Sequence, residues 1–148
     1  MIAVAALGAG LVSGAFAVFS LLVMPALRAL PAAQGVAAMQ SIDRTAVRPT
    51  FLGLVFGTGL LCVVLGIVEL VGERRPAVVT GAALYVAGVA GVTVLGNVPL
   101  NDALSRWDAG QATGSAWRAH VRRWTAWNTV RALAALASSA ALAVGLTS

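Results

Sequence analysis

The sequence predicts an all-α membrane protein: a four-helix transmembrane bundle whose long fourth helix extends beyond the bilayer. Three observations carry that prediction. The ten basic residues are all arginine, and charge is absent from residues 1–27, 49–68, 76–101 and 132–148. Three of these runs reach the roughly 20 residues that cross a hydrocarbon core, and the fourth does so once its preceding helical turns are added. Composition agrees, with 59% hydrophobic and 10% charged residues, against about a quarter charged in soluble domains. Residues 1–148 therefore read as a single membrane domain.

The first span runs from about Ile2 to Leu27 and ends in Met24-Pro25. It lacks a basic leader and stays apolar beyond the usual signal-peptide length, so a retained span is expected. Residues 28–48 form the first connection. Its middle, residues 32–45, has few helix breakers and predicts a short interfacial helix, with Val36, Met39 and Ile42 toward lipid or the bundle. Pro49 suits the first turn of span two, which ends near Leu70. The second connection, Gly72-Glu73-Arg74-Arg75-Pro76, is tight. Span three extends from about Ala77 to Pro99. After a third connection at 102–114, Ser115 is the expected cap of a last helix reaching about Val144. Such a helix is about 45 Å long, so its first three turns should lie in the headgroup region or the cytoplasm.

Charge placement sets the expected orientation. Arg28, Arg44 and Arg48 lie in the first connection, and Arg106, Arg118, Arg122, Arg123 and Arg131 in or after the third. Only Arg74 and Arg75 lie in the second, so the positive-inside rule puts the first and third connections in the cytoplasm and both termini outside. The formal net charge of +5 is then a match for anionic lipid headgroups and not a nucleic-acid signal. Cys62 is the single cysteine, which excludes an intrachain disulfide and a thiolate metal site. Glycines four apart, Gly10 with Gly14 and Gly53 with Gly57, fit close helix packing within the bundle or a homodimer contact.

The polar residues gather at the expected cytoplasmic ends. Thr93, Asn97 and Asn101 are spaced by four, and Pro99 removes a backbone donor beside them, disturbing the carbonyl of Leu95. The asparagines are either a polar helix exit or a ligand-facing amide pair. On the fourth helix, Trp117, His120, Trp124, Trp127, Asn128 and Arg131 fall within one sector of a helical wheel. Indoles, an imidazole, an amide and a guanidinium then share one side. Trp107 and Trp117 fit an ordinary interfacial belt. Arg131 precedes an apolar run and is expected inside the bundle mouth, where it needs an anionic or carbonyl partner. Arg48 can join it in a positive ring above an apolar cavity. His120 is the single histidine, a candidate base or a surface residue, and no carboxylate stands at metal-ligand spacing from it. Ser138 and Ser139 are expected to bond backbone carbonyls, and Glu69 to lie at the opposite end. No haem-ligand pair, nucleotide loop, zinc signature or hydrolytic triad occurs, so no cofactor and no metal are expected. A flat amphiphilic molecule with phenolate or keto oxygens suits such a site: indoles stack on rings, amides bind oxygens and arginines stabilise negative charge.

Residues 14–19, Met24-Pro25-Ala26-Leu27, residues 39–49, Asn97-Val98-Pro99-Leu100-Asn101 and Trp124-Thr125-Ala126-Trp127-Asn128-Thr129-Val130-Arg131 together resemble the anthrone oxygenase-like family, also called DUF1772. The most specific parts are NVPLN and WxxWNxVR, and the resemblance covers nearly the whole chain. It implies a four-helix membrane protein, with Asn97, Asn101, Asn128 and Arg131 as its polar signature and Trp124 and Trp127 beside them. Characterised fungal members oxidise polyketide anthrones to anthraquinones with dioxygen. The implied chemistry is a monooxygenase reaction on an electron-rich phenolic or anthrone-like aromatic, without a redox cofactor. Arg131, Asn97 and Asn128 would hold an enolate oxygen, and His120 or a substrate phenolate would accept the proton. Asn101, Trp124, Trp127 and Arg48 would bind the substrate. The alternative is a non-enzymatic membrane module that binds a lipid, a quinone or a partner helix.

Overall fold

A computed structural model describes residues 1–72 and 75–147; Glu73 and Arg74 of the second connection lie outside the described residues. Five α-helices form: α1 (Ile2–Ala29), α2 (Ala32–Ala46), α3 (Pro49–Val71), α4 (Pro76–Ser105) and α5 (Gly114–Val144). A single 3-10 turn, Ala109–Gln111, precedes α5. The short interfacial helix expected in the first connection is α2, so the bundle has five helices where four spans were expected. α1, α3 and α4 are long and apolar enough to cross a membrane. α5 is not among them, because its arginines recur as far as Arg131 and leave only its C-terminal part uncharged. Leu21, Leu60, Leu95 and Leu133 point outward and are mostly exposed, an apolar surface that water would penalise and lipid accepts. The chain is a multi-pass membrane protein.

Proline writes the helix boundaries. Pro31 caps α2, and Pro49 and Pro76 open α3 and α4 at positions where a missing N–H costs nothing. Pro25 and Pro99 instead sit inside helices. A proline ring crowds the carbonyl four residues back, here those of Leu21 and Leu95. Both helices widen into π turns just before the proline, at Phe19–Val23 and Thr93–Asn97, and α4 widens once more at Val86–Gly91, where no proline follows. The Met24 N–H bonds the Phe19 carbonyl and the Val98 N–H bonds that of Thr93, each reaching five residues back.

α5 is the central helix, packed along both α1 and α4, while α3 packs against α4 and α1. Hydroxyl groups tie these contacts. Ser13 donates to the Ala132 carbonyl (2.9 Å), Ser138 to that of Gly81 (2.7 Å) and Ser139 to that of Ala6 (2.8 Å). Tyr85 donates to the Val55 carbonyl at 2.9 Å. Each of these four hydroxyls thus finds an acceptor in a medium that offers no water. Gly14, Gly53 and Gly57 face open space and pack against nothing, so the expected glycine contacts within the bundle do not form there.

Apolar packing divides into two cores. One fills the span region, around Ala9, Val12, Cys62, Tyr85, Val89 and Ala135. The other lies at one end, where Val36 and Met39 of α2 cover Met24, Leu27, Leu104 and Trp117. Gln40 fastens α2 by donating to the Leu104 and Trp107 carbonyls at 2.9 and 3.0 Å. The N-cap of α5 is Thr113, whose hydroxyl accepts from the Ala116 N–H at 3.3 Å. The expected cap, Ser115, is already helical, because capping needs an extended backbone at the capping residue.

Gly35 lets α2 approach the bundle. A Cβ there would stand 2.6 Å from the Trp117 indole, and Trp117 is fully buried with its N–H on the Leu27 carbonyl (3.3 Å). Gly35→Ala is expected to lower stability by about 1–3 kcal/mol through overpacking, read as a lower denaturation midpoint in detergent.

Candidate functional site

The site is built around α5. Asn128 is completely buried and Arg131 is 7% exposed, one turn further along. The Asn128 amide nitrogen donates to the Phe16 carbonyl (2.7 Å) and the Ser20 hydroxyl (2.8 Å) of α1. Its oxygen accepts from Nη2 of Arg131 at 2.7 Å. Nη1 of Arg131 donates to the Thr93 hydroxyl on α4 at 3.1 Å, and Thr93 passes its own proton to the Val89 carbonyl at 2.7 Å. The guanidinium carbon lies 4.2 Å from the centre of the Phe16 ring, a cation–π contact. Nε of Arg131 is buried without a partner.

Every group on this guanidinium is neutral. Among the described residues the only ion pair is Arg75 with Glu69, at the end where α3 meets α4. A cation held in a low dielectric without a counter-ion is costly. Buried ionisable groups of this kind cluster at functional sites.

Arg131 and Asn128 line a cavity of about 460 Å3, within the range of small-molecule sites. Its aromatic walls are Phe16 and Phe19 of α1, Phe51 of α3 and Trp124 of α5, and α4 adds Asn101. The Trp124 N–H donates to Oδ1 of Asn101 at 2.7 Å, which fixes the indole plane. α2 closes the remaining side with Ser41, Ile42, Asp43, Thr45 and Ala46. Burial pushes the Asp43 carboxyl up to about 6, against a smaller opposing effect from Arg44. A larger groove of about 780 Å3 runs outside, between Pro25, Arg28 and Arg122. Both of its arginines are exposed, so it lacks the convergent buried polar groups of the inner cavity.

Of the residues expected at the site, the fold brings Asn101, Trp124, Asn128 and Arg131 to the cavity. Asn97 stands behind it: its amide nitrogen donates to the Trp124 carbonyl (3.3 Å), and its oxygen is buried without a partner. Neither asparagine of NVPLN serves the Leu95 carbonyl; Thr93, Asn97 and Asn101 all engage α5. Trp127 is 41% exposed and lies over Gly96. Arg48 is the exposed N-cap of α3 and does not line the cavity. His120 is buried in the second core, stacked on Trp117 at 5.9 Å and edge-on to Trp107 at 5.7 Å. A helical wheel projects away the axial coordinate: eleven residues separate His120 from Arg131, about 17 Å of rise.

A family model described as anthrone oxygenase matches residues 46–141, well over half of the chain. The chain belongs to the anthrone oxygenase family. No curated protein and no solved structure matches it. The family match takes in Phe51, Asn101, Trp124, Asn128 and Arg131 and stops short of α1 and nearly all of α2. Phe16, Phe19 and Asp43, which complete the cavity, come from outside the matched stretch. The sequence reading named none of the three as a site residue, although the stretches 14–19 and 39–49 that carry the resemblance contain them. For Asp43 a signal existed, since it lies seven residues after Val36 and four after Met39, on the buried face of α2.

Asn128→Ala strands Nη2 of Arg131 and takes one of two donors from the Phe16 carbonyl, and should cost about 1–3 kcal/mol. Arg131→Met removes a buried unpaired charge at similar volume but leaves the Asn128 oxygen without its donor, so the two effects offset and stability should stay within about 1 kcal/mol of wild type. Unfolding of both variants and of the double variant in one detergent checks this, the cycle giving the coupling between the two side chains.

Proposed function

We propose that the protein is a membrane-embedded oxygenase that converts an electron-rich phenolic or anthrone-like aromatic to a quinone with dioxygen. The observation that supports this most is the buried Arg131–Asn128 pair in the wall of an aromatic cavity. Planar rings stack on Trp124 and the phenylalanines. The ring oxygen is received by Arg131, whose fixed donors are worth more as that oxygen becomes an anion. Family membership supports the same substrate class.

The reaction balances as one dioxygen consumed and one water released. The ring methylene of an anthrone loses a proton, and its electron pair delocalises onto the ketone oxygen as an enolate. The enolate passes an electron to dioxygen, and the two radicals combine to form a carbon–peroxide bond. Loss of water from that peroxide takes the second methylene hydrogen and leaves a carbonyl. In this scheme the chain's residues bind the ring, hold the enolate and exclude bulk water; the substrate supplies the electrons.

The same reading sets topology. α5 contributes a fourth span through its uncharged C-terminal part. The cavity end, where eight of the ten arginines gather, faces the cytoplasm, with both termini outside. Membrane lipid supplies the surroundings from which an amphiphilic aromatic partitions into the cavity.

Detergent-purified protein given a dihydroxyanthrone should produce the anthraquinone with stoichiometric oxygen uptake, and anaerobic incubation should abolish the product. Arg131→Met should lower kcat/KM by about a hundred- to a thousand-fold while folding normally. Saturable binding of the anthrone with no conversion would instead identify a membrane binding module.

A further inference from the structure

The cavity holds two opposite charges that do not pair. Arg131 enters from α5 and Asp43 from α2. The guanidinium bonds Asn128 and Thr93. The Asp43 carboxylate has no hydrogen-bond or ion-pair partner among the described residues. The lining contributed by α1, α3 and α4 is uncharged: Phe16, Phe19, Phe51 and Asn101. The other charge acting on Asp43 is that of Arg44, its exposed neighbour on α2. Opposite charges facing one space, each left free of the other, are arranged for a molecule that comes between them.

We propose that Asp43 is the base that takes the proton from the substrate, a neutral keto or phenolic aromatic, and that Arg131 receives the oxyanion this creates. The assignment deepens the oxygenase reading and rests on it. In the step, a carboxylate oxygen of Asp43 forms a bond to the ring-methylene hydrogen. The C–H bond breaks, and its electron pair moves through the ring onto the ketone oxygen. No electron leaves the substrate and no oxidant is needed at this stage. The negative charge moves from Asp43 to the substrate oxygen beside Arg131, so the net charge of the cavity is unchanged. That constancy limits the cost of charge transfer in a low dielectric. It also sets specificity: the substrate must arrive neutral, because a carboxylated analogue brings a second anion toward Asp43.

The raised carboxyl supports this role, since a base works best when its pKa lies near the working pH. It has a second consequence for stability. The value rises from an ordinary 3.8 to about 6, so the folded protein binds this proton more tightly than the unfolded chain. Its contribution is full below the ordinary value and is lost as pH rises through about 6. At neutral pH the ionised carboxylate therefore destabilises the fold.

The test is anaerobic exchange of the methylene hydrogens of a dihydroxyanthrone in heavy water, measured by mass spectrometry above the protein-free rate. Wild-type protein should accelerate exchange, and the acceleration should fall as pH drops below about 6. Asp43→Asn should lose about a hundred-fold or more of the accelerated exchange and of aerobic turnover. Its thermal midpoint at neutral pH should rise, so that the lost exchange cannot be put down to unfolding. Asp43→Glu, the second variant, should retain exchange with a displaced pH profile. If Asp43→Asn exchanges and turns over like wild type, the base assignment fails and the oxygenase reading stands. If wild type accelerates exchange yet forms no quinone in air, the oxygenase reading fails while Asp43 keeps its proton chemistry. Absence of both activities in wild type overturns both.

Discussion

A buried guanidinium with no ion-pair partner among the described residues stands where the helices of the bundle meet. Arg131 holds its charge among an amide oxygen, a hydroxyl and an aromatic face, and each partner comes from a different place. Asn128 belongs to its own helix, Thr93 to α4 and Phe16 to α1. Keeping these three in register requires α5 to run between α1 and α4. Asn128 makes the register specific because it works at both ends of its carboxamide, donating to α1 and accepting from Arg131. A single polar side chain thereby couples helix packing to the electrostatics of the cavity. The outer hydroxyl ties of Ser13, Ser138 and Ser139 extend the same contact along α5 but add no charge to it.

The two helices that flank α5 are shaped by the same local chemistry. Pro25 and Pro99 each follow a π turn, and each turn lies beside the cavity end of its helix. The turn in α1 includes Ser20, which accepts from Asn128, and that in α4 includes Thr93, which accepts from Arg131. π turns are frequent where a helix must present groups off its regular stripe. Here the amino acid that would break a helix in water instead redirects two of them toward one pair of side chains.

Much of this was legible in the sequence, and the reasons differ by residue. The charge-free runs gave the long helices because lipid excludes charge over a fixed length. Asn101, Trp124, Asn128 and Arg131 could be grouped because helical spacing fixes which residues share a face. The same projection misled for His120, since a wheel keeps angle and discards distance along the axis. Trp127 lies at the edge of the sector, where a small rotation of the helix turns it outward. Phe16, Phe19 and Phe51 were hidden among apolar residues of identical appearance, and only tertiary packing distinguishes a wall from a lipid-facing surface. Asp43 depended on the fold of α2 over the bundle, a non-local arrangement that its own helix records in the spacing of Val36 and Met39.

The cavity also has a floor. Directly beyond Arg131 the helices close on Ala132, Ala135, Val12 and Val89, and at the far end the buried Glu69 is locked to Arg75. One end of the bundle is thus dry and close-packed while the other carries the buried polar groups, so the molecule is chemically asymmetric along its long axis. Loss of volume is felt at the first end and loss of a hydrogen-bond donor at the second.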